Sequence, residues 1–177
     1  MKIKFFLSIL IISMVIVGCE QADSSKENSL NGTKDQDIKD LVSEYSSGTV
    51  SADSASITPE QLIIKNNKKE FVYDVSNEDF FISIAPYINQ THPCTNHSLT
   101  GCQGELVNET FQVYIKDNDG NVLVNKQMKS QKNGFFDLWL PRDKTYQVKI
   151  EQNGKVAESE ISTYNTDGTC ITTMQLI

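Results

Sequence analysis

From Phe71 to the C-terminus, apolar and polar residues alternate with a period of two. Phe80, Ile82 and Ile84 fall on one side of the run 80–87. Phe111, Val113 and Ile115 alternate with Gln112, Tyr114 and Lys116, and Val122 and Val124 continue the theme. Phe136, Leu138 and Leu140 alternate with Phe135, Asp137 and Trp139; Tyr146, Val148 and Ile150 alternate with Gln147, Lys149 and Glu151. Cys170, Thr172, Met174 and Leu176 fall on one face of a last strand. Asp119-Gly120, Asn133-Gly134 and Asn153-Gly154 interrupt these runs with tight-turn chemistry. Roughly seven short strands at such spacing predict a mostly β chain, an antiparallel β-sandwich in which each sheet buries one face and wets the other. Ahead of them, Ile38, Leu41, Val42 and Tyr45 recur at helical spacing, with Asp37 as N-cap and Gly48 as the stop. Ser56-Ile57-Thr58-Pro59-Glu60 puts a proline where a first helical turn tolerates it, opening a second short helical or extended piece through Leu62 and Ile63. Residues 38–70 are thus read as a small helical N-terminal segment and 71–177 as the sandwich domain. Whether the small segment packs on that domain or on a second copy in a homodimer is open at this point.

The first 18 residues break the pattern. Lys2 and Lys4 precede an uncharged apolar run from Phe5 to Val17, too short to span a bilayer comfortably and shaped like a signal-peptide core. Ile16-Val17-Gly18-Cys19 resembles a bacterial lipobox, in which the sulfur of Cys19 takes a lipid after cleavage; an ordinary secretory signal cut nearby is the alternative. Two acyl chains would hold the domain at a membrane. The expected location is extracytoplasmic, as a lipoprotein on the outer face of the cell membrane or in the periplasm. Residues 19–37 are polar and nearly devoid of apolar side chains, as a flexible tether is.

Charge then narrows the partners. The formal net charge is −7. Loss of Lys2 and Lys4 from 16 basic residues leaves 14 against 23 acidic ones, a net −9. A surface this acidic repels phosphates, and no Lys/Arg-rich run offsets it, so nucleic acid is not an expected partner.

The chemistry is concentrated in His92-Pro93-Cys94-Thr95-Asn96-His97-Ser98-Leu99-Thr100-Gly101-Cys102. Both histidines of the chain and two of its four cysteines lie here, and Pro93 and Gly101 mark a shaped loop. With Cys19 set aside, Cys94, Cys102 and Cys170 are an odd number of thiols for an exported chain. One reading is a single disulfide and a leftover thiol. The other is convergence of all three as metal ligands. Thiolates favour Cu(I), which accepts three sulfurs, whereas zinc would need a fourth donor from His92 or His97. His97 and His92 can ligate, tune a thiol pKa, or be ordinary loop residues. Met128 and Met174 could add thioethers, though core filling is the commoner use. Trp139 and Phe135-Phe136 read as packing, with an aromatic lid over copper as the alternative. A thiol enzyme using Cys94 or Cys102 with His97 as base is a further class, weakened by the lack of any residue placed to orient the base.

Several stretches carry a resemblance. Phe80-Phe81-Ile82-Ser83-Ile84-Ala85-Pro86-Tyr87, Asn89-Gln90-Thr91-His92, Cys94, His97-Ser98-Leu99-Thr100, Cys102 and Gly104-Glu105-Leu106 resemble the signature of the CueP family of bacterial periplasmic copper-binding proteins. So do Ala52-Asp53-Ser54-Ala55-Ser56-Ile57, Gly134-Phe135, Leu138-Trp139-Leu140-Pro141-Arg142, Thr169-Cys170 and Thr172-Thr173, so that the likeness covers roughly residues 38–177. The resemblance implies copper held outside the cytoplasm by Cys94, Cys102 and Cys170, with roles in copper resistance, in supply of a Cu,Zn superoxide dismutase or other cuproenzyme, and in Cu(II) reduction. Reduction by thiols is stoichiometric unless a thiol reductant restores them. The lipobox departs from the free periplasmic form. The competing expectation is a disulfide-stapled β-sandwich lipoprotein that binds protein or carbohydrate.

Overall fold

A computed structural model of the chain describes residues 37–177; the expected signal peptide, the lipidation site Cys19 and all of the expected tether but Asp37 lie outside the described residues. The element order is α1 (Ile38–Ser47), β1 (Ser54–Ile57), β2 (Gln61–Asn66), β3 (Lys69–Asp74), β4 (Phe80–Ile84), β5 (His97–Ser98), β6 (Thr110–Asp117), β7 (Val122–Lys129), β8 (Phe136–Leu140), β9 (Thr145–Gln152), β10 (Lys155–Ser162) and β11 (Cys170–Ile171). The chain is mostly β, with antiparallel sheets and one short helix, as the alternation predicts. The strands form three sheets, in the orders β3-β2-β1-β5, β10-β9-β6-β7 and β11-β4-β8. β11 runs parallel to β4, the one exception to the antiparallel pairing of these strands.

The three-stranded sheet is the middle layer. Phe80, Ile82 and Ile84 of β4 and Phe136, Leu138 and Leu140 of β8 share a core with Phe111, Val113, Ile115, Tyr146, Val148 and Ile150 of the outer sheet. From the opposite face, Phe81 and Trp139 meet Ala55, Ile57, Leu62, Ile64 and the helical Val42. All five residues of β4 are buried. The expectation of one wet face per sheet therefore holds for β6 and β9, whose burial alternates, and fails for β4. A strand covered on both faces needs a nearly continuous apolar run, which FFISI supplies. Each such Phe or Ile contributes about 1.5–3 kcal/mol on leaving water.

The helix forms where its caps place it. Asp37 Oδ1 accepts from Lys39 N at 2.9 Å, and Gly48 closes the other end at φ 72°. It packs on its own chain, with the Ser46 hydroxyl hydrogen-bonded to Asp137 of β8. Ser83 Oγ (2.6 Å) and Gln131 Nε2 (2.9 Å) complete the donors around that carboxyl. Burial nonetheless outweighs these donors and pushes the Asp137 pKa up. Beyond α1, the region 38–70 is extended rather than helical. Pro59 lies in the turn between β1 and β2, where Thr58 Oγ1 accepts from Glu60 N and Gln61 N at 3.3 and 3.0 Å. The same cap chemistry that can start a helix here starts a hairpin. Asn153-Gly154 is the expected tight turn, both residues at positive φ between Gln152 and Lys155. Arg142 bonds the carbonyls of Glu78, Pro59 and Val75 at 2.6, 2.6 and 2.8 Å and lies over Phe80.

Candidate metal centre

The cysteine–histidine loop joins β4 to β6 and touches three walls. His97 and Ser98 become β5 by pairing with Ile57 and Ser56. His97 N donates to Thr169 Oγ1 at 2.9 Å, and that hydroxyl donates to Ile57 O at 2.7 Å. One threonine thus joins the loop, the N-terminal hairpin and the terminal segment. Cys170 N donates to Thr95 O at 3.1 Å, and Thr91 Oγ1 to Thr172 O at 2.6 Å. Cys102 follows a turn in which its N–H donates to Ser98 O at 3.0 Å. Where the loop leaves the site, Gly104 and Gly134 cross at backbone contact. A Cβ on Gly134 would lie 2.5 Å from Gly104 O, and Gly134 has φ +80°. Only glycine suits that position.

These contacts bring all three thiol positions together. Cys94 and Cys170 are disulfide-bonded, 5.7 Å apart at Cα. Cys102 is free, with its sulfur 3.5 Å from Cys94 Sγ. The sequence readings of one disulfide and of three convergent sulfurs describe one place. Ligand atoms of His92, Cys94 and Cys102 lie within 4.8 Å of one another, as do those of His97, Cys102 and Cys170. Cys102 belongs to both sets.

His97 is 0% exposed, and neither ring nitrogen has a hydrogen-bond partner among the described residues. Burial, with His92 adding repulsion, lowers its pKa to about 4. A neutral imidazole with a free lone pair is the form that binds metal. Its ring centroid stands 4.5 Å from that of Phe135, which also meets the His92 ring at 6.2 Å. Phe135 is fully buried with Ala85 and Cys170 against Cys94 and Cys102. Of the aromatic residues weighed from sequence, Phe135 is at the sulfurs; Phe136 is in the main core and Trp139 packs on Phe81 at 5.2 Å. Met174 and Met128 pack in the main core as well. The Glu105 carboxylate accepts from Ile88 N (2.6 Å), Asn89 N (2.9 Å), Gln90 N (3.2 Å) and Asn89 Nδ2 (3.0 Å). Partial burial opposes its ionisation, but these donors outweigh that and hold its pKa at about 2. Glu105, Thr169 and the glycine crossing carry no local signal of their own in the sequence, although each lies in a stretch of the family likeness.

Soft sulfur donors beside unprotonated imidazole form a set suited to copper. The family model described as "Periplasmic copper-binding protein CueP" matches residues 38–175. The chain belongs to the CueP family. A crystal structure of S.CueP is similar at 36% identity and a TM-score of 0.77, covering 82% of this chain and 92% of that one. Among curated proteins, none matches. Copper binding and a periplasmic setting are properties of the CueP family. Among the described residues, no helix is long and apolar enough to cross a membrane.

Proposed function

We propose that this CueP-family chain holds Cu(I) through the thiolates of Cys94, Cys102 and Cys170, with His97 and His92 as auxiliary donors, outside the cytoplasm and tethered by a lipid on Cys19. The observation that carries the reading is the free Cys102 sulfur 3.5 Å from one half of the Cys94–Cys170 disulfide, inside a shell that includes an unprotonated, unpartnered imidazole. With the disulfide open, three soft donors face one point. Closing it supplies electrons: two thiols become one S–S bond, release two protons, and reduce two Cu(II) to Cu(I). Cys102 and the histidines then hold one of the two Cu(I) ions, and the other leaves the site. A thiol reductant must reopen the bond before a second round, and a cuproenzyme such as a Cu,Zn superoxide dismutase would take the ion. Copper tolerance follows from shielding Cu(I) from redox cycling.

The test is a Cu(I) competition titration of the reduced protein beside Cys94→Ser, Cys102→Ser and Cys170→Ser. One tightly held ion, with affinity lost about 100-fold or more in each variant, is expected for a shared site. Parent-like binding by Cys170→Ser would confine the site to the loop. No tight binding in the parent would favour the disulfide-stapled binding module, which the Cys94–Cys170 bond also fits.

A further inference from the structure

Glu105 stands three residues after Cys102, and its carboxylate accepts four hydrogen bonds, none of them from a candidate donor. Its oxygens fall in neither set of mutually close ligand atoms. They are taken up by three successive backbone N–H groups and one side-chain amide, all from residues 88–90. Consecutive amides converging on one anion form a nest, and here the anion comes from the same chain.

The location of that nest gives it a consequence. The segment from Ile88 to Glu105 contains His92, Cys94, His97 and Cys102, every candidate donor except Cys170. Both ends of the segment are fixed to the scaffold. Tyr87 N donates to Met174 O at 3.1 Å, Leu176 N to Tyr87 O at 2.8 Å, and Gln175 Nε2 to Ile88 O at 3.2 Å. At the other end, Gly104 N donates to Asn133 O at 2.6 Å. The Glu105 carboxylate joins these two ends to each other and so closes the base of the loop.

We propose that Glu105 is a positioning residue of the metal centre, a clamp that keeps the loop 88–105 in register with Cys170 when the Cys94–Cys170 bond is open. While that bond exists, it fixes Cys94 to the terminal segment covalently. Once it is reduced, hydrogen bonds and the packing of Phe135 and Ala85 are left to keep Cys94 and Cys102 beside Cys170. The clamp and the disulfide then reinforce each other. Each restricts the loop the other needs, so removing the clamp weakens both disulfide formation and copper capture. Glutamine at 105 loses the charge, presents N–H groups where the nest donates, and keeps a single acceptor oxygen. The metal arm of this proposal rests on the thiolate reading above; the disulfide arm does not.

The experiment uses the full chain, purified in detergent, as parent, Glu105→Gln, Asn89→Ala and the distant charge control Glu60→Gln. The Cys94–Cys170 equilibrium is measured in glutathione redox buffers, and Cu(I) affinity by competition on the reduced protein. In Glu105→Gln both constants should fall about tenfold, the usual scale for losing a charged hydrogen bond or an outer-shell partner. Asn89→Ala removes one donor and keeps the carboxylate; it should lower both about threefold and serves if Glu105→Gln does not fold. Glu60→Gln should match the parent. A parent-like disulfide constant in Glu105→Gln and Asn89→Ala would overturn the proposal. If the parent itself binds no Cu(I), the thiolate reading fails, while the disulfide constants still decide the clamp.

Discussion

Between the central and outer sheets, Phe80, Phe111, Ile115, Tyr146 and Ile150 are fully buried, and the strands that carry them pair in long regular registers. At the cysteine–histidine end, only the two-residue strands β5 and β11 are regular. There the chain is held by single hydrogen bonds, one disulfide and the Gly104–Gly134 crossing. The first region derives its stability from area, which is spread over many side chains and tolerant of direction. The second derives its geometry from a few directional contacts, because a ligand set must be placed to fractions of an ångström while its donors stay free. Damage to the first should cost stability and leave the donors' geometry intact. Damage to the second should reach the donors' geometry, whatever it costs in stability.

Phe80→Ala puts this to the hardest test, since it opens a cavity in the main core beneath Arg142. A loss of about 3–5 kcal/mol is expected by chemical denaturation, with Cu(I) affinity of the folded fraction unchanged. Gly134→Ala comes next. Its positive φ and a Cβ meeting Gly104 O should cost about 2–3 kcal/mol. Here the affinity should fall as well, because the exit of the Cys102 loop must shift to make room. Reactivity of Cys102 toward a thiol reagent would report that shift directly. If Phe80→Ala weakened copper binding as much as Gly134→Ala does, the two regions would not be separable.

The outer sheet was legible because β6 and β9 have one wet face and so show their period in the sequence. The central strand was harder. Phe80, Ile82 and Ile84 alternate, but Phe81 and Ser83 between them are buried too, which a single-face reading misses. Thr58-Pro59 was ambiguous for a physical reason: a threonine hydroxyl accepting from the next N–H groups begins a helix or a turn equally well. The Cys94–Cys102 loop stood out through its residue types. Cys170 stood out with it as the remaining thiol, but the pairing of Cys94 with Cys170 across 76 residues and the His97–Thr169 contact across 72 leave no local signature. Phe135 looked like any core aromatic until the fold placed it against His97.

His97 offers the finest division between the two regions. The unfolded chain takes up a proton at its imidazole below about pH 6.5, while the native site resists protonation until about pH 4. The native pKa of this base is depressed, so the unfolded state binds more protons between those values and stability falls as the pH is lowered. The loss amounts to about 2 kcal/mol at pH 5. Asp137 acts in the opposite sense: its raised pKa lets the native state bind a proton first, which favours folding as the pH drops. Comparing the parent with His97→Phe cancels that contribution, and a phenyl ring suits a position between Phe81 and Phe135. Urea denaturation of the metal-free, disulfide-bonded protein at pH 7 and pH 5 should show a loss in the parent exceeding that in the variant by about 2 kcal/mol. Equal losses would mean that the buried site around His97 admits a proton freely. The cysteine–histidine end would then be a wet surface loop, and its contrast with the core would be one of regularity alone, with no difference in the environment offered to a metal.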